Sequence, residues 1–178
     1  MRIGVMCSGN GSNFENIVTS CPEIKVALMV YNKKDCGAAK RAEKLGISSC
    51  YIKSKEESRI INEFKWASVD YIVLAGWMRI LSPNFIRAFP NKIINIHPSL
   101  LPKYKGLNPI QRALDNGDKV TGCTVHMVTE ELDSGKILMQ EEVDILPYDT
   151  IESVTRSVHE AEHKILPEVL RNLNIGSE

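Results

Sequence analysis

Short apolar runs alternate with helix-like segments over the first 96 residues, and this alternation restricts the fold more than any other feature. Residues 71–76 (Tyr-Ile-Val-Leu-Ala-Gly) are continuously apolar, as expected of a strand that is buried on both faces of a sheet. Residues 35–45 are rich in Ala, Lys and Glu and are followed by a glycine, which is typical of a helix and its end. The sequence therefore predicts an α/β fold, with a mostly parallel twisted sheet and helices on both faces.

The same pattern predicts where the individual elements lie. We expect strands at residues 3–7, 24–31, 48–52, 71–76 and 92–96, with helices at residues 13–19, 35–45, 56–66 and 83–89. Beyond residue 96 we expect a short helix at 109–116, strands at 121–128 and 136–143, and a long amphipathic helix from about residue 150 to about 172. The two late strands predict an antiparallel addition to the sheet. With 178 residues and no repeat or linker, the chain fits a single domain.

The composition restricts the partners and the compartment. Lys and Arg together number 22, as do Asp and Glu, so we expect no bulk attraction to nucleic acid or to a membrane surface. The five cysteines are odd in number and form no Cys-x-x-Cys pair, which predicts reduced thiols in a cytoplasmic protein rather than disulfides or a zinc site. We expect no signal peptide and no membrane span, because no apolar run is long enough for either.

An amide and an imidazole lie two residues apart in the stretch Asn-Ile-His-Pro-Ser-Leu-Leu-Pro at residues 95–102. Side chains at i and i+2 of a strand point to the same side, so Asn95 and His97 converge at a strand end. Asparagine donates hydrogen bonds, and histidine is the side chain best suited to proton transfer near neutral pH. The stretch predicts an oxyanion stabiliser beside a general acid/base, although a lone Asn-x-His is more often a cap beside a structural histidine.

A glycine-rich loop, Ser-Gly-Asn-Gly-Ser-Asn at residues 8–13, follows the first predicted strand and opens a helix. Gly9 and Gly11 permit a tight turn, and the free N–H groups at a helix N-terminus attract an anion. A dinucleotide fingerprint would need a third glycine where Phe14 stands, and a Walker loop would need Gly-Lys-Ser/Thr. A phosphate site therefore competes with a purely structural turn. The Asn-x-Ser match at Asn10 to a glycosylation sequence is accidental.

Together these motifs resemble the folate-dependent formyltransferase family. The stretch at residues 95–102 is followed by Gly-Cys-Thr-Val-His at 122–126 and by Leu-Asp-Ser-Gly at 132–135, and the resemblance extends from Ile3 to about Leu166. The loop at residues 8–13 is similar to the phosphate loop of the branch that formylates glycinamide ribonucleotide in de novo purine synthesis. The resemblance implies a single-domain Rossmann-like fold, 10-formyltetrahydrofolate as cosubstrate, no metal, and a monomer or homodimer.

The resemblance also implies roles for individual residues. In the catalytic set, Asn95 and His97 would stabilise the oxyanion that forms when an amine attacks the formyl carbon, and the carboxylate of Asp133 would favour the protonated imidazolium. The ribonucleotide would be held by Gly11, Ser12, Asn13, Glu162 and His159. The folate would be held by Arg59, Met78, Arg79, Ile80, Leu81 and Asn95. Residues 1–90 would then form the ribonucleotide-binding half, and residues 91–178 the catalytic and folate-binding half.

A second motif points to different chemistry. Residues 159–163 read His-Glu-Ala-Glu-His, which matches the His-Glu-x-x-His motif of zinc metalloproteases. We reject this interpretation, because no third ligand follows and so short a pattern often arises by chance. In the resembled family this helix borders the ribonucleotide, so His163 is expected to pack structurally. No covalent intermediate is implied, and Cys7 and Cys123 are not expected to be nucleophiles.

The sequence departs from the resembled family at several points. The stretch between Arg59 and Asp70 is shorter than usual, Lys105 stands where the family often has proline, and Asn108 stands where it often has histidine. Residues 109–114 (Pro-Ile-Gln-Arg-Ala-Leu) are similar to the methionyl-tRNA formyltransferase branch. Three alternatives therefore stay open: a formyltransferase with another amine acceptor, a formyltetrahydrofolate hydrolase, and a degenerate folate- or nucleotide-binding protein without enzymatic activity.

Overall fold

The computed structural model describes residues 1–176 of the chain. Within them lie seven strands and six helices, joined by loops. The strands are β1 (Arg2–Cys7), β2 (Lys25–Tyr31), β3 (Ser49–Tyr51), β4 (Tyr71–Leu74), β5 (Ile93–His97), β6 (Val120–Met127) and β7 (Ile137–Asp144). The helices are α1 (Ser12–Ser20), α2 (Gly37–Leu45), α3 (Glu57–Trp66), α4 (Pro83–Ala88), α5 (Pro109–Asp115) and α6 (Ile151–Ile175). Each element that the sequence predicts is present.

All seven strands form one mixed sheet, in the order β3-β2-β1-β4-β5-β6-β7. Strands β1 to β5 pair in parallel, whereas β5 with β6 and β6 with β7 pair antiparallel. The structure thus confirms the predicted parallel sheet and its antiparallel addition. Since parallel strands end at the same edge, the loops that follow β1, β4 and β5 meet there, which is where α/β sheets usually bind ligands.

Several element boundaries differ from the prediction for local backbone reasons. Helix α2 begins at Gly37 rather than at residue 35, because Asp35 has a left-handed φ of 57° that a helix does not accommodate. Strand β4 is two residues shorter than predicted, since Gly76 turns the chain with a φ of 80°. Strand β5 continues to His97, and α6 continues to Ile175. His97 is therefore the last residue of β5.

The two faces of the sheet carry separate hydrophobic cores. The first core lies on the side of α1, α2 and α6, and its members include Val5, Phe14, Ala38, Ile94, Val125 and Ile165. The second core lies on the side of α3 and α4, and its members include Met6, Phe64, Ile72, Phe85 and Ile93. Because side chains alternate along a strand, each central strand contributes to both cores.

Strand β5 shows how this alternation positions polar groups. Ile94 and Ile96 belong to the first core and Ile93 belongs to the second, so Asn95 and His97 lie on the side of the second core. Within residues 1–176, no buried member of the second core comes from β6 or β7. The β5–β6 end of this face, which we call the free end, can therefore carry polar side chains.

None of the described helices has the length and apolar character needed to cross a bilayer.

Candidate active site

Polar side chains on β5 and β6 lie side by side at the free end of the sheet face that carries the second core. The antiparallel register places Asn95 opposite His126 and His97 opposite Thr124. His97, His126 and Thr124 are all buried, and Asn95 is half-buried. A buried polar group needs a hydrogen-bond partner, so the partners of these side chains define what the site can do.

His97 is fixed at one ring nitrogen and faces a carboxylate with the other. Its Nε2 lies 2.9 Å from the backbone oxygen of Tyr104, and its Nδ1 lies 3.6 Å from Oδ2 of Asp133. A carbonyl oxygen only accepts, so Nε2 donates to Tyr104 and Nδ1 is the nitrogen that gains or loses a proton. The His97 and Asp133 side chains are each 8% exposed, which keeps this pair away from bulk water.

Asp133 enters the site from the loop between β6 and β7. Its backbone is left-handed, with a φ of 47°, and its Oδ2 accepts a 2.8 Å hydrogen bond from the backbone N–H of Gly106. Lys105 holds the same loop, because its ammonium donates to the hydroxyl of Ser134 and lies 3.7 Å from Glu131. Lys105 thus links the loop after β5 to the loop between β6 and β7, and these two loops flank the site.

Asn95 contacts a second histidine that the sequence analysis missed. Its Nδ2 lies 3.2 Å from Nε2 of His126, whose Nδ1 lies 2.9 Å from the backbone oxygen of Met127. Nε2 of His126 also lies 3.8 Å from Oδ1 of Asp133. Burial lowers the pKa of His126, although the Met127 carbonyl and Asp133 partly oppose this effect. The alternation of Cys123, Thr124, Val125 and His126 along a predicted strand is the signal that could have identified this residue.

The glycine loop has a backbone that requires glycine at one position. Gly11 has a φ of 78°, and a Cβ there would lie 2.6 Å from the Cα of Ala38. Helix α1 begins directly after it at Ser12, and no side chain within the described residues caps its first N–H groups. The loop thus presents the free N–H groups of a helix N-terminus at the same edge of the sheet as His97.

Helix α6 brings a buried carboxylate to the glycine loop. Nδ2 of Asn13 donates a 2.9 Å hydrogen bond to Oε2 of Glu162, which is 5% exposed. Burial raises the pKa of Glu162, while the bond from Asn13 and the charges of His159 and His97 act in the opposite direction. Glu162 is therefore bonded directly to Asn13, which is far away in sequence. The charges of His159 and His97 also act on its carboxylate.

The segment after β4 is joined to the glycine loop by Ser8, which the sequence analysis also missed. The N–H of Ser8 donates to the oxygen of Gly76 at 3.0 Å, and its hydroxyl accepts from the N–H of Met78 at 2.9 Å. Met78 is 65% exposed and Ile80 is 76% exposed. Large apolar side chains that stay exposed next to one another are frequent at ligand-binding surfaces.

Two arginines, Arg59 on α3 and Arg79 in the segment after β4, have side chains that pair with no carboxylate among the described residues. Arg59 and Arg79 are exposed, and neither guanidinium group has a hydrogen bond or an ion pair within residues 1–176. Glu57, on the same helix as Arg59, accepts hydrogen bonds from the N–H and the hydroxyl of Ser82. This contact ties α3 to the segment that begins at Met78. Among the described residues, no hydrogen bond or ion pair joins the Arg59 side chain to that segment. Leu81, unlike Met78 and Ile80, is buried.

The His-Glu-x-x-His segment on α6 does not assemble as a metal site. Glu162 is bonded to Asn13, and the backbone oxygen of His163 accepts from Asn16 at 2.8 Å. Burial lowers the pKa of His163, whose Nε2 is buried without a hydrogen-bond partner. Within residues 1–176, no group of three or more His, Cys, Asp or Glu side chains is arranged to hold a metal ion.

The buried thiols near the site are not activated. Burial raises the pKa of Cys7 to about 12 and that of Cys123 to about 12. A thiol with so high a pKa stays protonated at neutral pH, and the protonated form is a poor nucleophile.

Comparison with known proteins assigns the family. A sequence model of the family described as Formyl transferase matches residues 1–170. This chain belongs to the formyl transferase family. The phosphoribosylglycinamide formyltransferase of Haemophilus influenzae is 41% identical to this formyl transferase over 181 residues, which cover 96% of this chain and 85% of that protein.

Longer relatives and solved structures agree with this assignment. The trifunctional purine biosynthetic protein adenosine-3 of Chironomus tentans is 42% identical over 190 residues, which cover 98% of this chain but 14% of that protein. The crystal structure of glycinamide ribonucleotide transformylase 1 from Symbiobacterium toebii matches this formyl transferase with a TM-score of 0.95 and 36% identity. That match covers 99% of this chain and 88% of that one.

Proposed function

We propose that this formyl transferase moves the formyl group of 10-formyltetrahydrofolate to the amine of glycinamide ribonucleotide, giving formylglycinamide ribonucleotide and tetrahydrofolate in de novo purine synthesis. The observation that carries the proposal is the meeting of two sites at one edge of the sheet. The glycine loop with Asn13 and Glu162 offers an anion and hydroxyl site, and His97 with Asp133 lies beside it. Relatives named for this activity cover nearly the whole chain.

The chemistry requires charge stabilisation and proton transfer, and the site offers both. When the amine attacks the formyl carbon, the carbonyl oxygen becomes an oxyanion, which Asn95 and His97 would stabilise as hydrogen-bond donors. The amine then loses a proton, and the departing N10 of the folate gains one as the carbon–nitrogen bond breaks. His97, protonated at Nδ1 beside Asp133, donates the proton that N10 gains, and the proton that the amine loses returns the imidazole to its protonated form. Asp133 stabilises the imidazolium.

Binding of the two substrates would divide between the loops around this trio. The phosphate would bind at the free N–H groups that follow Gly11, with Ser12 and Asn13, and the ribose and glycinamide would contact Glu162 and His159. The pterin would lie against Met78, Arg79, Ile80 and Leu81 and near Asn95, with Arg59 towards the carboxylate tail. Residues 1–90 would thus supply most of the phosphate site and residues 91–178 the catalytic trio.

The proposal extends to compartment and assembly. All five cysteines are free thiols in the structure, which suits the reducing conditions of the cytoplasm. We place the enzyme there, as a monomer or a homodimer. No bound metal is required for the steps assigned to Asn95, His97 and Asp133.

Release of tetrahydrofolate from 10-formyltetrahydrofolate tests the function directly. Absorbance should report release only when glycinamide ribonucleotide is present. Release without the ribonucleotide would establish a hydrolase instead, and an absence of release in both cases would favour another amine acceptor or a binding protein without activity.

The variant Ser12→Ala tests the phosphate loop separately. Loss of one hydrogen bond to a charged phosphate costs about 1.5–3 kcal/mol, so the KM for the ribonucleotide should rise by about tenfold or more. The KM for the formyl donor should stay unchanged, since Ser12 lies on α1, whereas the segment proposed to bind the folate follows β4. Equal changes in both constants would contradict the assignment.

A further inference from the structure

His126 is the cross-strand neighbour of Asn95, the proposed oxyanion donor, and has no role in the mechanism above. Strand pairing sets it opposite Asn95, and it is 2% exposed. Each of its ring nitrogens has a polar neighbour: Nδ1 lies 2.9 Å from the Met127 oxygen, and Nε2 lies 3.2 Å from Nδ2 of Asn95. A buried imidazole with both nitrogens engaged is held in one orientation.

The partners also fix where the ring proton lies. The Met127 oxygen can only accept, so Nδ1 carries the proton and donates it. In the neutral ring, Nε2 then has a lone pair, and it accepts a hydrogen bond from the amide nitrogen of Asn95. The amide of Asn95 has two N–H groups, and the second has no partner among the described residues.

We propose that His126 is a positioning residue, which as a neutral ring protonated at Nδ1 holds the Asn95 amide with its nitrogen in place and one N–H free for the oxyanion. The inference rests on the proposed function for the oxyanion itself. If the amide were reversed, its oxygen would occupy the position of the donor, and an oxygen beside an oxyanion repels it. An asparagine without such a partner can adopt either orientation, whereas a preorganised donor lowers the barrier without reorganising during the reaction.

The charges around His126 bear on its protonation. The titratable groups that face it are Asp133, whose Oδ1 lies 3.8 Å from Nε2, and His97 on β5; its register partner on β7 is the apolar Ile137. Burial lowers the pKa of His126. Above that pKa the ring is neutral and accepts from Asn95. Below it, Nε2 carries a proton and can no longer accept a hydrogen bond from the Asn95 nitrogen. The Asn95 amide should therefore lose its fixed orientation as the pH falls.

A double-mutant cycle separates positioning from a general structural role. His126→Leu removes the acceptor and should lower kcat by about 10- to 100-fold, less than or comparable to the loss of an oxyanion donor itself. The KM values for both substrates should stay within about twofold, since the change affects the transition state. In an Asn95→Ala background the same substitution should have no further effect on kcat, because its action runs through Asn95.

Two further variants complete the test. His126→Gln keeps an acceptor oxygen within reach of Asn95 and should recover most of the lost kcat. Thr121→Val, a buried change on the same strand, should leave kcat unchanged and controls for disturbance of β6. Equal losses in the Leu and Gln variants, or an undiminished effect of His126→Leu in the Asn95→Ala background, would overturn the proposal.

Nitrogen NMR of the unmodified protein tests the tautomer without any variant. With ¹⁵N-labelled histidine at pH 7.5, the His126 resonances should show a protonated Nδ1 and an unprotonated Nε2. A proton on Nε2 would overturn the proposal even if every variant failed to fold. This result does not depend on the substrates, so failure of the proposed function would be seen separately, as a lack of formyl transfer by the wild-type enzyme.

Discussion

Strands β4 and β6 present opposite kinds of side chain to the same face of the sheet. Ile72 and Leu74 of β4 belong to the second core together with Phe64 and Phe85 of the covering helices. The corresponding side chains of β6 are Thr124 and His126, which are equally buried but polar. The covered end of this face is packed by apolar contact, and the free end is ordered by hydrogen bonds.

The free end is ordered because its hydrogen bonds form a connected set. The hydroxyl of Thr124 donates to the oxygen of Ser99 at 2.7 Å and accepts from the N–H of Leu101 at 3.1 Å and from Gln140 at 2.9 Å. These bonds hold the loop after β5 that supplies the Tyr104 oxygen to His97. Hydrogen bonds contribute little net stability but fix geometry. We therefore expect changes at the free end to affect rate and changes at the covered end to affect stability.

The largest expected effect is on the rate, at the free end. His97→Ala removes the proposed acid and should lower kcat by about 10²- to 10⁴-fold. Steady-state kinetics measures the loss, and calorimetric titration should show that glycinamide ribonucleotide still binds. A collapse of ribonucleotide binding would mean that His97 is structural and would remove the contrast between the two ends.

The next effect is on stability, at the covered end. Phe64 is fully buried against Gly4, where a Cβ would lie 2.4 Å from its ring, so Phe64→Ala should cost about 3–5 kcal/mol in the free energy of unfolding. Urea denaturation measures the loss. Trp66 on the same helix is 89% exposed, and Trp66→Ala should change stability by no more than about 0.5 kcal/mol. Similar costs for both aromatic residues would contradict the packing described above.

A smaller effect is expected in the glycine loop. Gly11→Ala combines a left-handed φ with a Cβ that meets the backbone of Ala38, so the loop must move and the KM for the ribonucleotide should rise. Gly46→Ala is the matched control, because Gly46 has a similar φ of 68° but open space around a Cβ. Gly46→Ala should lose about 1–2 kcal/mol of stability through backbone strain alone and retain its ribonucleotide KM. Gly11→Ala should lose more, because the contact with Ala38 adds to the same strain.

The smallest effect concerns the buried carboxylate at the glycine loop. The pKa of Glu162 is raised in the folded state, so its contribution to stability is present below the unfolded pKa and is lost as the pH rises through the folded pKa. Glu162→Gln should therefore raise the melting temperature at pH 8 by about 2–4 °C, the shift that ~1 kcal/mol produces at this size, and by less at pH 4. Glu168→Gln, an exposed change on α6, is the control and should change stability by no more than about 0.5 kcal/mol. An equal gain at both pH values would contradict the stated cause.

Much of the fold could be predicted because its signals are local. The continuous apolar run at β4 and the glycine that ends α2 are visible in the sequence, and the structure confirms both elements. The contact between Asn13 and Glu162 could not be derived from pattern, because it depends on where α6 packs against α1. The link from Lys105 to Ser134 likewise depends on two irregular loops. His126 followed the same alternation that identified His97, but its partner lies on a neighbouring strand whose register the sequence does not state.

The fate of a labelled formyl group tests the central claim most directly. With 10-formyltetrahydrofolate that carries ¹³C in the formyl carbon and with glycinamide ribonucleotide, NMR should show the label appearing as a formamide on the ribonucleotide. The rate should fall in His97→Ala but persist in Trp66→Ala. Appearance of the label as free formate, or an unchanged rate in His97→Ala, would contradict formyl transfer by the polar end of this sheet.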